Sequence, residues 1–228
     1  MLKCYARFLA RLLTGVLLCS LCGPAFAITV PEALQFRLER EVAEPEPISL
    51  DVRSLPQAVA TFYAERAYAP AWDEGRYALL LKSLDDLSGD GLNPADYGLA
   101  HLRALAAATA PEVIAEREID ATRACLLALL HLYRGKVDPT TLDTHWNFPP
   151  RKIDPVQALH EVAVAVRENR IEELFDRARP VWGYYDRLRI ALSQLRKIEA
   201  AGGWPELPAG PTLKPGMSDP RVPLLRRR

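Results

Sequence analysis

The chain has 228 residues, 49% of them hydrophobic and 25% charged, with 29 lysines and arginines against 29 aspartates and glutamates. That apolar content is enough for one sizeable core with a smaller satellite, and it excludes a wholly disordered chain. The even charge balance excludes the net basic field by which a protein gathers nucleic acid or an anionic membrane.

The chain begins with Lys3, Arg7 and Arg11, then the apolar stretch Leu12 to Leu21, then Ala25-Phe26-Ala27. This order is that of a secretory signal peptide, with small residues placed for cleavage after Ala27. The apolar core is about ten residues, half of what a membrane-crossing helix needs. Export to the periplasm is therefore expected, with the mature chain starting near Ile28 and keeping no transmembrane segment. Leu18 and Leu21, just before Cys19 and Cys22, are too large for a lipoprotein cleavage site. Residues 1–27 carry three of the basic residues and no acid, so the remainder holds 26 basic against 29 acidic side chains. Of the four cysteines only Cys125 lies beyond the leader. No internal disulfide is expected, and its apolar setting, Ala124-Cys-Leu-Leu-Ala-Leu-Leu, reads as a buried inert thiol.

A short amphipathic segment covers Pro31 to Val42, and the alternating prolines of Glu44-Pro45-Glu46-Pro47 make a linker. Ser54 is placed to cap a helix running to Tyr68, with Leu55, Val59, Phe62, Tyr63 and Arg66 on one face and Ala69-Pro70 ending it. A second helix spans Arg76 to Leu87 with Leu79, Leu80, Leu84 and Leu87 inward, closed by Gly89-Asp90-Gly91. Asn93-Pro94 caps and opens a further turn leading into Leu99 to Ala108. The longest pattern, Pro111 to Arg134, becomes almost continuously apolar in its second half and is expected at the centre of the fold. After a loop-rich stretch around Thr144 to Pro150, Asp154-Pro155 starts a helix to Asn169, followed by a short one over Ile171 to Arg177. The last clear helix is Trp182 to Ala201, with Tyr185, Leu188, Leu192, Leu195 and Ile198 on one face. Gly202 to Pro220 reads as an extended arm, and Asp219-Pro220 as the cap of a new helix. No stretch alternates as a strand does, so the fold class is all-α or nearly so, an irregular multi-helix bundle with a Gly/Pro-rich C-terminal arm.

Beyond the leader there is no Gly-x-Ser-x-Gly, His-Glu-x-x-His, Walker loop, Gly-x-Gly-x-x-Gly or Cys-x-x-Cys. No cofactor, metal site or catalytic residue is expected. His131, in an apolar helix, reads as a satisfied core histidine, and His101, His145 and His160 as surface or loop residues. The carboxylate pairs Asp73-Glu74, Asp85-Asp86 and Glu172-Glu173 read as solvated helix faces rather than as a glycosidase pair. Aromatic residues gather near helix ends, where they either anchor loops to the core or line a sugar-stacking groove. If a ligand or partner surface exists, Trp72, Tyr97, Trp146 and Trp204 are the residues expected on it.

Four stretches, in this order, carry a family resemblance: Phe62-Tyr-Ala-Glu-Arg-Ala-Tyr-Ala-Pro-Ala-Trp72, Asp90-Gly-Leu-Asn-Pro-Ala-Asp-Tyr97, Tyr133-Arg-Gly-Lys-Val-Asp-Pro139, and Gly202-Gly-Trp-Pro through Thr212-Leu-Lys-Pro-Gly216. Together they resemble the scaffold region of the large YcbB-like murein L,D-transpeptidases, over roughly residues 50 to 225. After the leader over 1–27 and an N-terminal segment or linker over 28–53, the resemblance implies a helical scaffold domain over 54–201, and over 202–228 a Gly/Pro-rich linker with the start of a peptidoglycan-binding domain. In that family a YkuD-type catalytic domain follows, with its cysteine in a Ser/Thr-His-Gly-Cys motif. Cys125 follows Arg123-Ala124 instead, so no catalytic role carries over. The expectation is a non-catalytic scaffold cut off from its peptidoglycan-binding and YkuD domains, with peptidoglycan or other cell-wall proteins as partners. Two alternatives stay open: a stand-alone exported adaptor that binds peptidoglycan or a partner, and an enzyme with an unrecognised carboxylate site.

Overall fold

The computed structural model describes residues 28–42, 47, 49–149 and 151–227. The expected leader over residues 1–27, and most of the Glu44 to Pro47 linker, lie outside these residues. Among the described residues the chain is all-α, without a strand: an irregular bundle.

Helix α1, Val30–Glu41, opens on a capping box in which Thr29 Oγ1 accepts from Glu32 N while Glu32 Oε2 accepts from Thr29 N. Its buried Leu34 and Leu38 are one turn apart and face the rest of the bundle, each contributing about 1.5–3 kcal/mol by leaving water. Helix α2 is Leu55–Ala64, four residues shorter than its apolar spacing suggests. It stops because Ala67 and Tyr68 take the left-handed conformation, φ 51° and 57°, and Tyr68 N closes back on Tyr63 O at 2.8 Å. Arg66, expected on the buried face, turns out to donate to the carbonyls of Ala69 and Pro70, fixing the exit. Ser54 does not cap α2. Its hydroxyl donates to Ser49 O, and Asp51 takes the N–H groups of Arg53 and Ser54.

Helix α3, Glu74–Asp86, starts two residues before the apolar pattern because Asp73 accepts from Arg76 N at 2.9 Å. A 3-10 turn, Leu87–Asp90, follows and is ended by Gly91 at φ 78°, a conformation that a side chain would strain. A second such turn, Pro94–Tyr97, is capped by Asn93, and α4 is Leu99–Leu105. Helix α5, Pro111–Arg134, spans about 36 Å at 1.5 Å per residue. It is the axis of the fold, touched by α1, α2, α3 and α4. Its alanines 115, 121, 124 and 128 are buried and let the neighbours come close.

Asp154 caps α6, Pro155–Arg167, by accepting from Val156 N and Gln157 N, both at 3.0 Å. Helix α7, Ile171–Ala178, packs Ile171, Leu174 and Phe175 onto α3, α5 and α6. Helix α8, Gly183–Ala200, is different: it contains no buried residue. Leu188 is 64% exposed and Leu195 47%. The residues after α8 form no regular helix until α9, Val222–Arg226, before which Asp219 pairs with Arg221.

Candidate functional site

The polar groups of the interior show what the motif-bearing stretches do. Glu118, on α5, is completely buried. Its carboxylate accepts Ala71 N at 2.6 Å, Trp72 N at 3.2 Å and the Tyr63 hydroxyl at 3.0 Å. Its closest cation is Arg117, 3.7 Å away. Trp72 Nε1 donates to Thr122 Oγ1, which lies one helical turn from Glu118 and within 2.9 Å of the Tyr63 oxygen. Burial pushes the Glu118 carboxyl above its ordinary value, although the donors from Ala71, Tyr63 and Trp72 and the charge of Arg117 pull the other way. The stretch Phe62 to Trp72 is thus threaded through one buried carboxylate to the central helix, and the arrangement is a structural clasp.

A second cluster surrounds Asp90, whose carboxylate is fully covered. Arg179 Nε reaches its two oxygens at 3.1 and 2.9 Å, and the Tyr185 hydroxyl donates at 3.0 Å. Arg189 Nε lies 2.9 Å from Oδ1 as an ion pair without hydrogen-bond alignment. Arg196 donates to Ser88 O from the same helix. Tyr185, Arg189 and Arg196 all belong to α8, so this helix is held by polar contacts with a single turn. Nearby, Tyr97 meets His131 edge-on with its hydroxyl 3.0 Å from Nδ1. Burial and the charge of Lys136 lower the histidine's affinity for a proton and favour the neutral ring, whose tautomer decides which of the two groups donates.

Of the four aromatics expected on a ligand surface, Trp72 is 1% exposed and Tyr97 3%, while Trp146 is 43% and Trp204 41% exposed. Stacking a sugar requires an open ring face. Trp72 and Tyr97 offer none and instead anchor loops to α5. Trp146 stands edge-on to Phe148 and donates through Nε1 to Phe148 O. A half-open cleft of about 350 Å³ lies between α5, α6 and α7, walled by Leu126, Leu129, Leu130 and Leu174. Tyr133, beneath the Arg151 guanidinium, and the Glu161–Arg177 pair stand at its polar side. Its volume suits a small apolar group.

The neighbouring acids form ordinary ion pairs: Asp73 with Arg76, Asp85 with Arg103, Asp86 and Glu172 with Lys82, and Glu173 with Arg170. Cys125 is fully buried, and burial pushes its thiol up to about 12. In the native protein it should stay unmodified by iodoacetamide at pH 8 and react fully in denaturant. Rapid native alkylation, followed by mass spectrometry, would show the thiol to be accessible after all.

A family model described as "Scaffold domain" matches residues 57–192, from α2 to the middle of α8. The chain belongs to the scaffold-domain family of the L,D-transpeptidases. No curated protein and no solved structure matches it. The matched residues of this scaffold domain take in the Glu118 cluster, the Asp90 cluster apart from Arg196, and the whole of α3 to α7. Sequence reasoning missed Glu118, Thr122 and Asp90 as the groups that organise the fold. The signal for Glu118 and Thr122 was their position one turn apart on the inward side of the apolar α5.

Proposed function

We propose that the chain is the non-catalytic scaffold of an exported murein L,D-transpeptidase, serving peptidoglycan cross-linking in the periplasm after removal of residues 1–27. The family match over residues 57–192 carries this reading. A frame for a catalytic domain needs apolar surface left uncovered by its own core, and α8 supplies it at Leu188 and Leu195. The buried carboxylates support the same reading, because each is saturated by donors from the chain itself and is not open to a substrate. Exposed Trp146 and Trp204 favour a second reading, an adaptor that binds the wall without an enzyme partner.

The test mixes residues 28–228 with a separately produced YkuD-type catalytic domain and measures association by calorimetry, with sedimentation on purified sacculi in parallel. Association is expected, and Leu188→Glu with Leu195→Glu should weaken it at least 10-fold while leaving the melt nearly unchanged, as both residues are exposed. Retention on sacculi without association would favour the adaptor. Turnover of muropeptides by the chain alone would overturn both.

A further inference from the structure

We propose that His101, Glu116 and Asp120 form a binding site for one zinc-class divalent ion, tying α4 to α5. Glu116 and Asp120 are four residues apart on α5 and so lie on the same face, and His101 approaches from α4. The imidazole Nε2 is 3.5 Å from Glu116 Oε1 and 3.4 Å from Asp120 Oδ2, and the three donor atoms all lie within 4.8 Å of one another.

These separations discriminate between two accounts of the cluster. An imidazolium bonded to a carboxylate closes to about 2.7–2.9 Å and points at one oxygen. Here the nitrogen sits between two oxygens, beyond that range from both. Donors around a tetrahedral ion at about 2.0–2.2 Å are separated by about 3.3–3.6 Å, which matches both distances. The remaining oxygens are already used: Glu116 Oε2 by Arg37 at 3.4 Å, and Asp120 Oδ1 by Arg123 at 2.8 Å. Each arginine fixes its carboxylate so that the second oxygen turns toward His101, the role that outer-shell partners play around metal ligands.

The charges suit a cation. Two carboxylates and a neutral imidazole balance a divalent ion; Arg123 has Glu41 as a further counter-charge, and Arg37, whose side chain is 41% exposed, keeps its charge in water. One nitrogen with two oxygens suits zinc or its neighbours in the transition series better than calcium or magnesium, which prefer oxygen donors throughout. Three protein donors leave one position of a tetrahedron open to water.

Untagged residues 28–228 should bind one Zn2+ per chain in calorimetry, and Co2+ should give the intense visible absorption of a four-coordinate ion. His101→Ala, Glu116→Gln and Asp120→Asn should each weaken binding at least 10-fold. All three positions are partly exposed, so circular dichroism will show the variants folded. Zn2+ should also raise the Tm of the parent protein and leave that of His101→Ala unchanged. His160→Ala, remote in sequence and on the surface of α6, should bind as the parent does. Failure to bind Zn2+ at millimolar concentration, or binding that persists unchanged in His101→Ala, overturns the proposal.

Discussion

Replacing Glu118 by alanine is expected to cost about 3–5 kcal/mol, seen as a large fall in the urea midpoint with little change in slope. Two buried N–H groups, those of Ala71 and Trp72, lose their acceptor, and each such loss costs about 1–3 kcal/mol. The Tyr63 hydroxyl keeps Glu118 O at 2.9 Å and Thr122, so it is not orphaned and adds little. The void left by the side chain contributes the rest. Glu118→Gln keeps an oxygen for the two N–H groups and should cost less than half as much. Burial holds the Glu118 carboxyl above the ordinary glutamate value, so the fold favours its protonated form. The stability linked to that proton is complete below the ordinary value and is lost as pH rises through the raised one. Glu118→Gln has no proton to lose there, and its stability should vary less as pH rises above the ordinary glutamate value. An alanine variant within 1 kcal/mol of the parent would mean that water reaches these N–H groups and the clasp is not sealed.

The helices were legible in the sequence wherever a local rule governs them. Asp154-Pro155 starts α6 through a cap and a first-turn proline, and the apolar second half of α5 could only be central. The end of α2 was not legible, since Ala67 and Tyr68 have no intrinsic preference for positive φ. Their conformation is imposed by the clasp on Glu118 one step later. Trp72 and Tyr97 illustrate the same boundary for the candidate site. An aromatic beside a helix end looks alike whether its ring is open or covered, and what covers these two, Thr122 and His131, lies far away in sequence. The grouping of His101 with Glu116 and Asp120 likewise depends on α4 lying against α5. The periodicity of α8 announced an apolar face but held no information on whether the chain itself would cover it.

Asp90→Ala is expected to release α8. The variant removes the shared partner of Arg179, Tyr185 and Arg189, leaving Arg179, largely covered, with only the exposed Asp176. Breaking a buried pair from one side costs about 3–5 kcal/mol in a rigid interior, and the cost here should fall toward the lower figure because α8 can move its charges into water. The apolar contacts left to hold α8 are few: Leu192 reaches Gly91, where even a Cβ would lie 3.7 Å from it, and no residue of the helix is buried. Hydrogen exchange should therefore show the amides of α8 losing protection well before those of α5, and trypsin should cut first at Arg187, Arg189 and Arg196. Asp90→Asn, which keeps an acceptor for Tyr185, should lie between the two. If α8 stays protected in Asp90→Ala, the helix is held by its apolar side and Leu188 and Leu195 are less available than their exposure suggests. If it is released, a helix with an open apolar face hangs on one polar turn, and whatever packs on that face adds stability the isolated scaffold lacks. Binding a partner there should then raise α8 protection in the parent and, at saturating partner, restore it in Asp90→Ala.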